Sequence, residues 1–279
     1  MASSQPGKRF DWGNLRVRVL SALILAPMAL GAVWLGGPPF LLLMAVGVAL
    51  LTIEWGGMCD KETPARAAAI MSTAVLVAVF AAYLGHPFWG WVLVALGAVA
   101  GAVIALVRRK LDRPADVAFG VLYIGAPVVA LVWLREGRAG LEWTLLLISV
   151  VWSADIGAYL VGNALKGPKL WPRFSPNKTW SGFFGGLLGG MAAAAAICAL
   201  PFVSGGPSLR SAVWIGLLAA LAAMAGDLWE SALKRRFGVK DSGDLIPGHG
   251  GLLDRVDGLM FAAVLVAAVR LLFFRGYLT

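Results

Sequence analysis

The sequence predicts an all-α integral membrane protein with about nine transmembrane helices. Of its 279 residues, 59% are hydrophobic and only 14% are charged, and the mean hydropathy is +0.80. A typical soluble domain carries about 25% charged residues, so this chain lacks the polar side chains to cover a water-exposed surface. Its apolar residues form continuous runs rich in Ala and Leu. Such runs favour helices over the alternating strands of a membrane β-barrel.

A helix needs about 20 mostly apolar residues to cross a hydrocarbon layer roughly 30 Å thick. The predicted spans are 17–35, 39–58, 66–85, 88–107, 116–134, 142–163, 181–203, 209–230 and 256–274. The first span follows basic residues as a secretory signal does, but its length and the eight later spans favour a retained helix. We expect an N-terminal region, 1–140, with five spans, and a C-terminal region, 141–279, with four spans.

The basic residues predict the orientation. With the N-terminus in the cytoplasm, most of the 24 Lys and Arg residues lie on the cytoplasmic side of the membrane, as the positive-inside rule requires. The C-terminus then lies on the opposite side. The two long polar stretches, 164–180 and 231–255, both face the cytoplasm, and function is expected there.

The composition also excludes several kinds of site. The net charge of +9 arises from basic residues scattered between apolar segments, which indicates topology and no nucleic-acid partner. Cys59 and Cys198 form no metal or redox pattern. Because His86 and His249 are the only histidines, any metal ion must be bound mainly by carboxylates.

Five acidic residues lie in or at the ends of predicted spans, where a charge costs about 2.5–3.5 kcal/mol at a helix centre. They are Asp155, Asp227, Glu230, Asp254 and Asp257. All five fall in the cytoplasmic half of three spans, where they would repel one another unless cations intervene. Carboxylates together with substrate phosphates are typical ligands of Mg²⁺. The pattern therefore predicts a metal–phosphate site.

Structural explanations exist for several polar residues. Asp254 could offset the dipole at a helix N-terminus, and snorkelling could explain Glu54 at the inner end of the second span. The positive-inside rule explains Lys178, and Trp180 fits an interfacial belt. His249 could be a loop-capping imidazole. None of these explanations accounts for the convergence of five carboxylates on one side of the membrane.

Basic and glycine-rich segments lie beside these carboxylates. Residues 231–236 extend the eighth span with Lys234, Arg235 and Arg236, and 245–251 is rich in glycine. Glycine permits positive φ and a close approach of backbone N–H groups to phosphate. The other polar stretch supplies Lys178 and hydroxyls just before a helix N-terminus, a favourable position for an anion.

The segment 231–257, SALKRRFGVKDSGDLIPGHGGLLDRVD, closely resembles the signature of CDP-diacylglycerol synthases, also called phosphatidate cytidylyltransferases. That signature reads S-x-x-K-R, then K-D, then P-x-H-G-G-x-x-D-R-x-D, and every element is present. The motifs DIGAY at 155–159 and SPNKTWSG at 175–182 are similar to the family as well. Strong similarity covers about 150–260, whereas the first 140 residues agree mainly in being hydrophobic. Ile156 and Asn177 depart from the usual family residues.

The resemblance implies a metal-dependent reaction of CTP with phosphatidate that gives CDP-diacylglycerol and pyrophosphate. The expected step is direct attack of a phosphatidate oxygen on the α-phosphorus of CTP, without a covalent enzyme intermediate. Mg²⁺ is the expected ion, Mn²⁺ suits the same oxygens, and a second, monovalent cation is an open alternative. The expected location is the cell membrane, with the active site facing the cytoplasm, where CTP, phosphatidate and the bilayer meet.

The resemblance and the charge pattern together predict three groups of site residues. The expected metal ligands are Asp227, Asp254 and Asp257. The expected catalytic and phosphate-binding residues are Lys234, Arg235, Lys240, His249 and Arg255. The expected substrate-binding residues are Asp155, Ser175, Lys178, Thr179, Ser231, Asp241, Gly250 and Gly251.

Three other classes of membrane protein fit the sequence less well. A secondary transporter would suit intramembrane carboxylates, but it would place them near the midplane and with repeat symmetry. A CDP-alcohol phosphotransferase would require D-G-x-x-A-R, of which only Asp257 and Gly258 are present. A polyprenol kinase would make no CDP-linked product. Small residues at 182–196 permit close helix packing, which is compatible with a homodimer or a monomer.

Overall fold

The computed structural model describes residues 12–107, 113–172, 175–201, 203 and 205–274. Within these ranges nearly all the chain is helical. The helices are α1 (Trp12–Leu35), α2 (Gly37–Cys59), α3 (Pro64–Tyr83), α4 (Pro87–Val107), α5 (Pro114–Glu136), α6 (Gly140–Leu165), α7 (Trp180–Cys198), α8 (Leu209–Phe237) and α9 (Leu253–Phe273). Nine helices among the described residues are long and apolar enough to cross a membrane, which confirms the predicted fold class.

The polar stretch between α6 and α7 contains a small β-hairpin that the sequence analysis missed. Strand β1 (Lys169–Trp171) pairs antiparallel with β2 (Ser175–Thr179). The hairpin leads directly into α7, whose first turn is capped by Thr179, because the Thr179 hydroxyl accepts the N–H of Gly182 at 3.1 Å. Thr179 therefore has a structural partner besides its predicted contact with substrate.

Helix α8 extends beyond the span predicted for it and carries Lys234 and Arg235 on its last turns. It ends at Gly238, which has a φ of 74°. This left-handed conformation after a helix is common for glycine and costly for other residues. The predicted extension of the eighth span over 231–236 is thus confirmed, and α9 starts just before Asp254.

Two hydrophobic clusters hold the helices together. The first is built mainly by α2 to α5 and also contains Phe237 of α8 and Leu253 of α9. The second is built by α5 to α9. Helix α5 contributes to both clusters and is the most buried span, with 72% of its apolar window inside the protein. The charged ends of α8 and α9 are therefore anchored against both halves of the chain.

Glycines allow α6 and α7 to cross in near backbone contact. A Cβ at Gly185 would lie 2.8 Å from the Gly157 carbonyl oxygen, and a Cβ at Gly189 would lie 2.5 Å from that of Ser153. Gly190 faces Ala220 of α8 in the same way. The small residues of 182–196 thus pack within one chain, so they give no support to a homodimer.

The two ends of the helix bundle differ in chemistry. At one end, arginines bind backbone carbonyls: Arg135 donates to Val33 O and Trp34 O, and Arg270 donates to Leu134 O at 2.9 Å. The Arg270 guanidinium also lies over the rings of Trp133 and Trp143. These contacts join neighbouring helices, and none of these side chains lines the cavity at the opposite end of the bundle. The opposite end carries the predicted site residues.

Candidate active site

A cavity of about 900 Å³ lies at the end of the bundle where α6 and α8 finish and α7 and α9 begin. Its volume is in the range of sites for small molecules and cofactors. Most of the predicted site residues line it. They are Asp155, Lys178, Thr179, Asp227, Lys234, Asp241, His249, Gly250, Asp254, Arg255 and Asp257. Two polar stretches and a transmembrane carboxylate, far apart in sequence, thus meet around one space.

The first acidic group in the cavity consists of Asp155 from α6, Asp227 from α8 and Asp257 from α9. All three carboxylates line the cavity, and Lys178 forms an ion pair with Asp227. One lysine cannot neutralise three carboxylates, so this group retains room for a further cation. Lys178 takes part in the site, beyond the topological role that explained it in isolation.

The second acidic group surrounds Lys234. Its ammonium lies 2.7 Å from Glu230 Oε2 and 2.5 Å from Asp254 Oδ1. The Glu230 side chain is 1% exposed, and its Oε1 has no hydrogen-bond partner. A buried carboxylate of this kind is costly unless a cation pairs with it. Lysine side chains therefore supply part of the positive charge that the sequence analysis attributed to metal ions.

Asp254 belongs to this second group rather than to the first. Besides Lys234, it accepts hydrogen bonds from the Ser242 N–H and lies in hydrogen-bond contact with the Ser242 hydroxyl, both at 3.1 Å. Leu252 precedes α9 without a side-chain cap of its own. Asp254 thus has side-chain and backbone partners, so the dipole at the N-terminus of α9 does not by itself explain its position.

The backbone amides at the start of α9 are bound by Glu54, a residue that the sequence analysis assigned to snorkelling. That assignment is wrong, because Glu54 is only 4% exposed. Its Oε1 accepts the N–H of Leu252 at 2.6 Å, and its Oε2 accepts the N–H of Leu253 at 2.7 Å. The signal in the sequence was a carboxylate in an otherwise apolar span, which is seldom without a function.

The glycine-rich loop before α9 presents His249 to the cavity. Gly248 and Gly250 have φ values of +76° and +84°, which glycine adopts without a steric penalty. His249 Nδ1 lies 3.0 Å from the Ser21 hydroxyl of α1, and Arg18 Nε donates to Gly248 O at 2.6 Å. Helix α1 therefore holds this loop, a role for Arg18 and Ser21 that sequence reasoning missed.

Five predicted residues do not line the cavity. They are Ser175, Ser231, Arg235, Lys240 and Gly251. Gly251 has a packing role instead, because a Cβ there would overlap the Ser242 hydroxyl. Arg235 and Lys240 are exposed at the end of the bundle beside the cavity.

No group of three or more His, Cys, Asp or Glu side chains in the described ranges is arranged so that it could hold a metal ion by itself. Mg²⁺ does not require one, because it commonly takes only one or two protein carboxylates and completes its shell with phosphates and water. Asp155, Asp227 and Asp257 supply oxygen donors of the right kind with incomplete charge compensation. A divalent ion bound here together with a phosphorylated substrate therefore stays a prediction from the residue types.

The nine helices and the cavity lined by lysines and carboxylates at one end of the bundle indicate an integral membrane protein with a polar site for an anionic ligand. The sequence model described as the cytidylyltransferase family matches residues 16–273. The chain belongs to this family. The match includes the N-terminal helices, beyond the region 150–260 where the resemblance was strongest, and it supports an enzyme over the transporter interpretation.

Individual relatives agree with the family match. The chain is 38% identical to the phosphatidate cytidylyltransferase of Brucella suis over 269 residues, which cover 91% of this chain and 92% of the relative. It is 33% identical to the phosphatidate cytidylyltransferase of Staphylococcus epidermidis over 262 residues, which cover 90% and 97%. The similarity therefore extends over nearly the full length of both relatives.

The close crossing of α8 and α9 yields a first testable prediction. A Cβ at Gly226 would lie 2.5 Å from the Asp257 carbonyl oxygen, so Gly226→Ala forces the two helices apart beside the cavity. We expect the kcat of the purified enzyme in a phosphatidate cytidylyltransferase assay to fall by about 100-fold, since displacing active-site residues by about 1 Å has effects of this size. Gly57→Ala, where a Cβ meets nothing within 4 Å, is the matched control. Equal activity of the two variants would contradict the prediction.

Proposed function

We propose that this protein transfers the cytidylyl group of CTP to phosphatidate, with CDP-diacylglycerol and pyrophosphate as products. The observation that carries the proposal is the convergence of the family signature residues Lys234, His249, Asp254 and Asp257 on one cavity at the end of a membrane-spanning bundle. The near full-length similarity to phosphatidate cytidylyltransferases supports the same substrates.

The reaction forms one bond and breaks one bond. A phosphatidate phosphate oxygen attacks the α-phosphorus of CTP, and the bond from that phosphorus to the oxygen bridging it to the β-phosphorus breaks. Pyrophosphate leaves with the electron pair. Because phosphatidate is already anionic at neutral pH, no general base is needed, and catalysis rests on positioning and on neutralising charge.

The basic side chains that line the cavity would bind and align the phosphates. Lys234 projects from α8 and is held between Glu230 and Asp254. Arg255 is fixed by two hydrogen bonds to the carbonyl oxygen of His249. Lys178 approaches from the hairpin side. These three cations enclose the cavity from separate elements, which suits two phosphorylated substrates brought together.

Asp227 and Asp257, with Asp155, are the residues that we propose hold Mg²⁺. Asp254, the third metal ligand that the sequence predicted, has Lys234 and Ser242 as partners, just as Asp227 has Lys178. When bound, the ion would neutralise charge on the triphosphate and on the departing pyrophosphate. Because Asp155, Asp227 and Asp257 lie on three different helices, α6, α8 and α9, their carboxylates would hold the ion from three sides.

We place the cavity at the cytoplasmic face of the cell membrane. Most lysines and arginines follow the positive-inside pattern with the N-terminus inside. In that orientation the ends of α6 and α8 and the starts of α7 and α9 face the cytoplasm. A soluble nucleotide and a lipid headgroup can both reach such a site.

Radiolabelled CTP tests the proposal directly. With purified protein, phosphatidate and Mg²⁺ in detergent, label in the α-phosphate should appear in the lipid product, and label in the γ-phosphate should appear in pyrophosphate. A chelator should abolish both, and diacylglycerol should not replace phosphatidate, because it lacks the attacking phosphate. Transfer of the γ-label to lipid would indicate a kinase. No labelled lipid from folded protein would refute the proposal.

A further inference from the structure

We infer that Glu54 of α2 is a positioning residue for the reaction, because its carboxylate clamps both ends of the segment 242–253 next to the cavity. The inference rests on the proposed function of the residues that this segment carries. Glu54 lies in the N-terminal half of the chain, 198 residues before its first backbone partner. It touches no substrate space itself, since it is absent from the cavity lining.

The contacts of Glu54 define the clamp. At one end of the segment, its two carboxylate oxygens accept the N–H groups of Leu252 and Leu253 at 2.6 and 2.7 Å. At the other end, Glu54 Oε2 lies 3.3 Å from the Ser242 hydroxyl, and its side chain packs closely on Gly243. A single side chain therefore closes the loop that contains His249 and Gly250.

The burial of Glu54 indicates that its negative charge is stabilised by these hydrogen bonds. Glu54 and Ser242 are both buried, and no lysine or arginine in the described ranges forms an ion pair with Glu54. A buried carboxylate without a cation partner is costly. Here it is stabilised by two amides at the positive N-terminus of α9, where a negative charge is favourable.

Glu54 is connected to the cavity residues in two ways, through Ser242 and through the first turn of α9. Ser242 contacts Glu54 and also Asp254, through its hydroxyl and its backbone N–H. The amides that Glu54 binds open the first turn of α9, which carries Asp254 and, one turn on, Asp257. Loss of the clamp would let this turn and the His249 loop move relative to α8 without removing any group that touches substrate.

Glu54→Gln tests the inference, because glutamine keeps the size of the side chain but offers only one acceptor oxygen to the two amides. We expect kcat to fall by about 10–100-fold, the usual effect of losing a residue that orients an active group. The KM for CTP should change less than kcat, since two of the three phosphate-binding cations, Lys178 on β2 and Lys234 on α8, lie outside the clamped segment. Glu54→Asp, which keeps the charge on a shorter side chain, should recover part of the loss.

Trp55→Phe is the matched control for simple destabilisation. Trp55 is the next residue of α2 and is fully buried; its Nε1 donates to Asp116 O of α5 at 2.9 Å, and its ring packs on Tyr123 of α5 and on Phe237 of α8, away from Leu252, Leu253 and Ser242. This variant should lower thermal stability in detergent and leave kcat close to that of the wild type. If Glu54→Gln yields no folded protein, Ser242→Ala replaces it, and a smaller but measurable loss of kcat is expected.

The outcomes are separable. A fall in kcat in the Glu54 or Ser242 variant that exceeds that of Trp55→Phe at similar thermal stability supports the positioning role. Wild-type kcat in folded Glu54→Gln, or a loss no greater than that of Trp55→Phe, overturns it. A wild-type protein that makes no CDP-linked lipid refutes the proposed function instead, and that result is seen before any variant is compared.

Discussion

Replacing Asp227 by Asn is expected to lower the kcat for CDP-diacylglycerol formation by about 10³-fold, the scale of losing a charged group that stabilises a transition state. Asp227 lines the cavity together with Asp155 and Asp257, and it pairs with Lys178. Its loss removes a proposed ion ligand and leaves Lys178 without its partner. Steady-state kinetics over a range of Mg²⁺ concentrations measures both effects.

The Mg²⁺ titration distinguishes the loss of an ion ligand from the loss of a negative charge alone. If Asp227 holds the ion, the residual activity of the variant should require a higher Mg²⁺ concentration than the wild type. Asp244→Asn is the control, because Asp244 is an exposed carboxylate outside the cavity lining, and its loss changes the net charge equally. An Asp227→Asn enzyme with normal kcat and an unchanged Mg²⁺ requirement would remove Asp227 from the site.

The second large effect is expected for Lys234→Met, which should reduce both activity and stability. The change leaves the 1% exposed Glu230 side chain without its cation, and breaking a buried ion pair from one side costs about 3–5 kcal/mol. It also removes a proposed phosphate-binding group, so kcat/KM should fall by about 10²–10³-fold. Thermal unfolding in detergent and steady-state kinetics measure the two losses separately.

A double variant separates the structural role of Lys234 from its chemical role. In Lys234→Met/Glu230→Gln the buried charge is gone with its partner, so most of the lost thermal stability should return. Activity should remain low, because no cation occupies the position. Recovery of kcat in the double variant would show that Lys234 serves only to neutralise Glu230.

The transmembrane fold was predictable because each span is identified by a continuous stretch of the sequence. Long apolar runs such as 88–107 identify a span without knowledge of its neighbours, and all nine spans were found, although α7 ends at Cys198 before its predicted end and α8 continues to Phe237 beyond its predicted end. The β-hairpin was missed for the opposite reason. Its strands are short and polar, and their pairing depends on how α6 and α7 bring the two ends of the segment together.

The site was only partly predictable for the same physical reason. The motif 231–257 identified Lys234, His249, Asp254 and Asp257 as neighbours in function, and the structure places all four on one cavity. Sequence could not divide the carboxylates into one group around Lys178 and another around Lys234, because that division depends on the helix crossing. Partners from distant helices, such as Ser21 for His249, also leave no local pattern.

The long-range bonds of Glu54 have a consequence for how the protein is made. Helix α2 enters the bilayer with a carboxylate whose amide partners lie 198 and 199 residues further along the chain. At a synthesis rate of about 5–20 residues per second, those partners emerge roughly 10–40 s later. During that interval the nascent N-terminal helices carry an uncompensated acidic group near the bilayer surface. The contacts of Glu54 with the start of α9 therefore form only after α9 has been synthesised, and a chain truncated before α9 lacks both amide partners of this carboxylate.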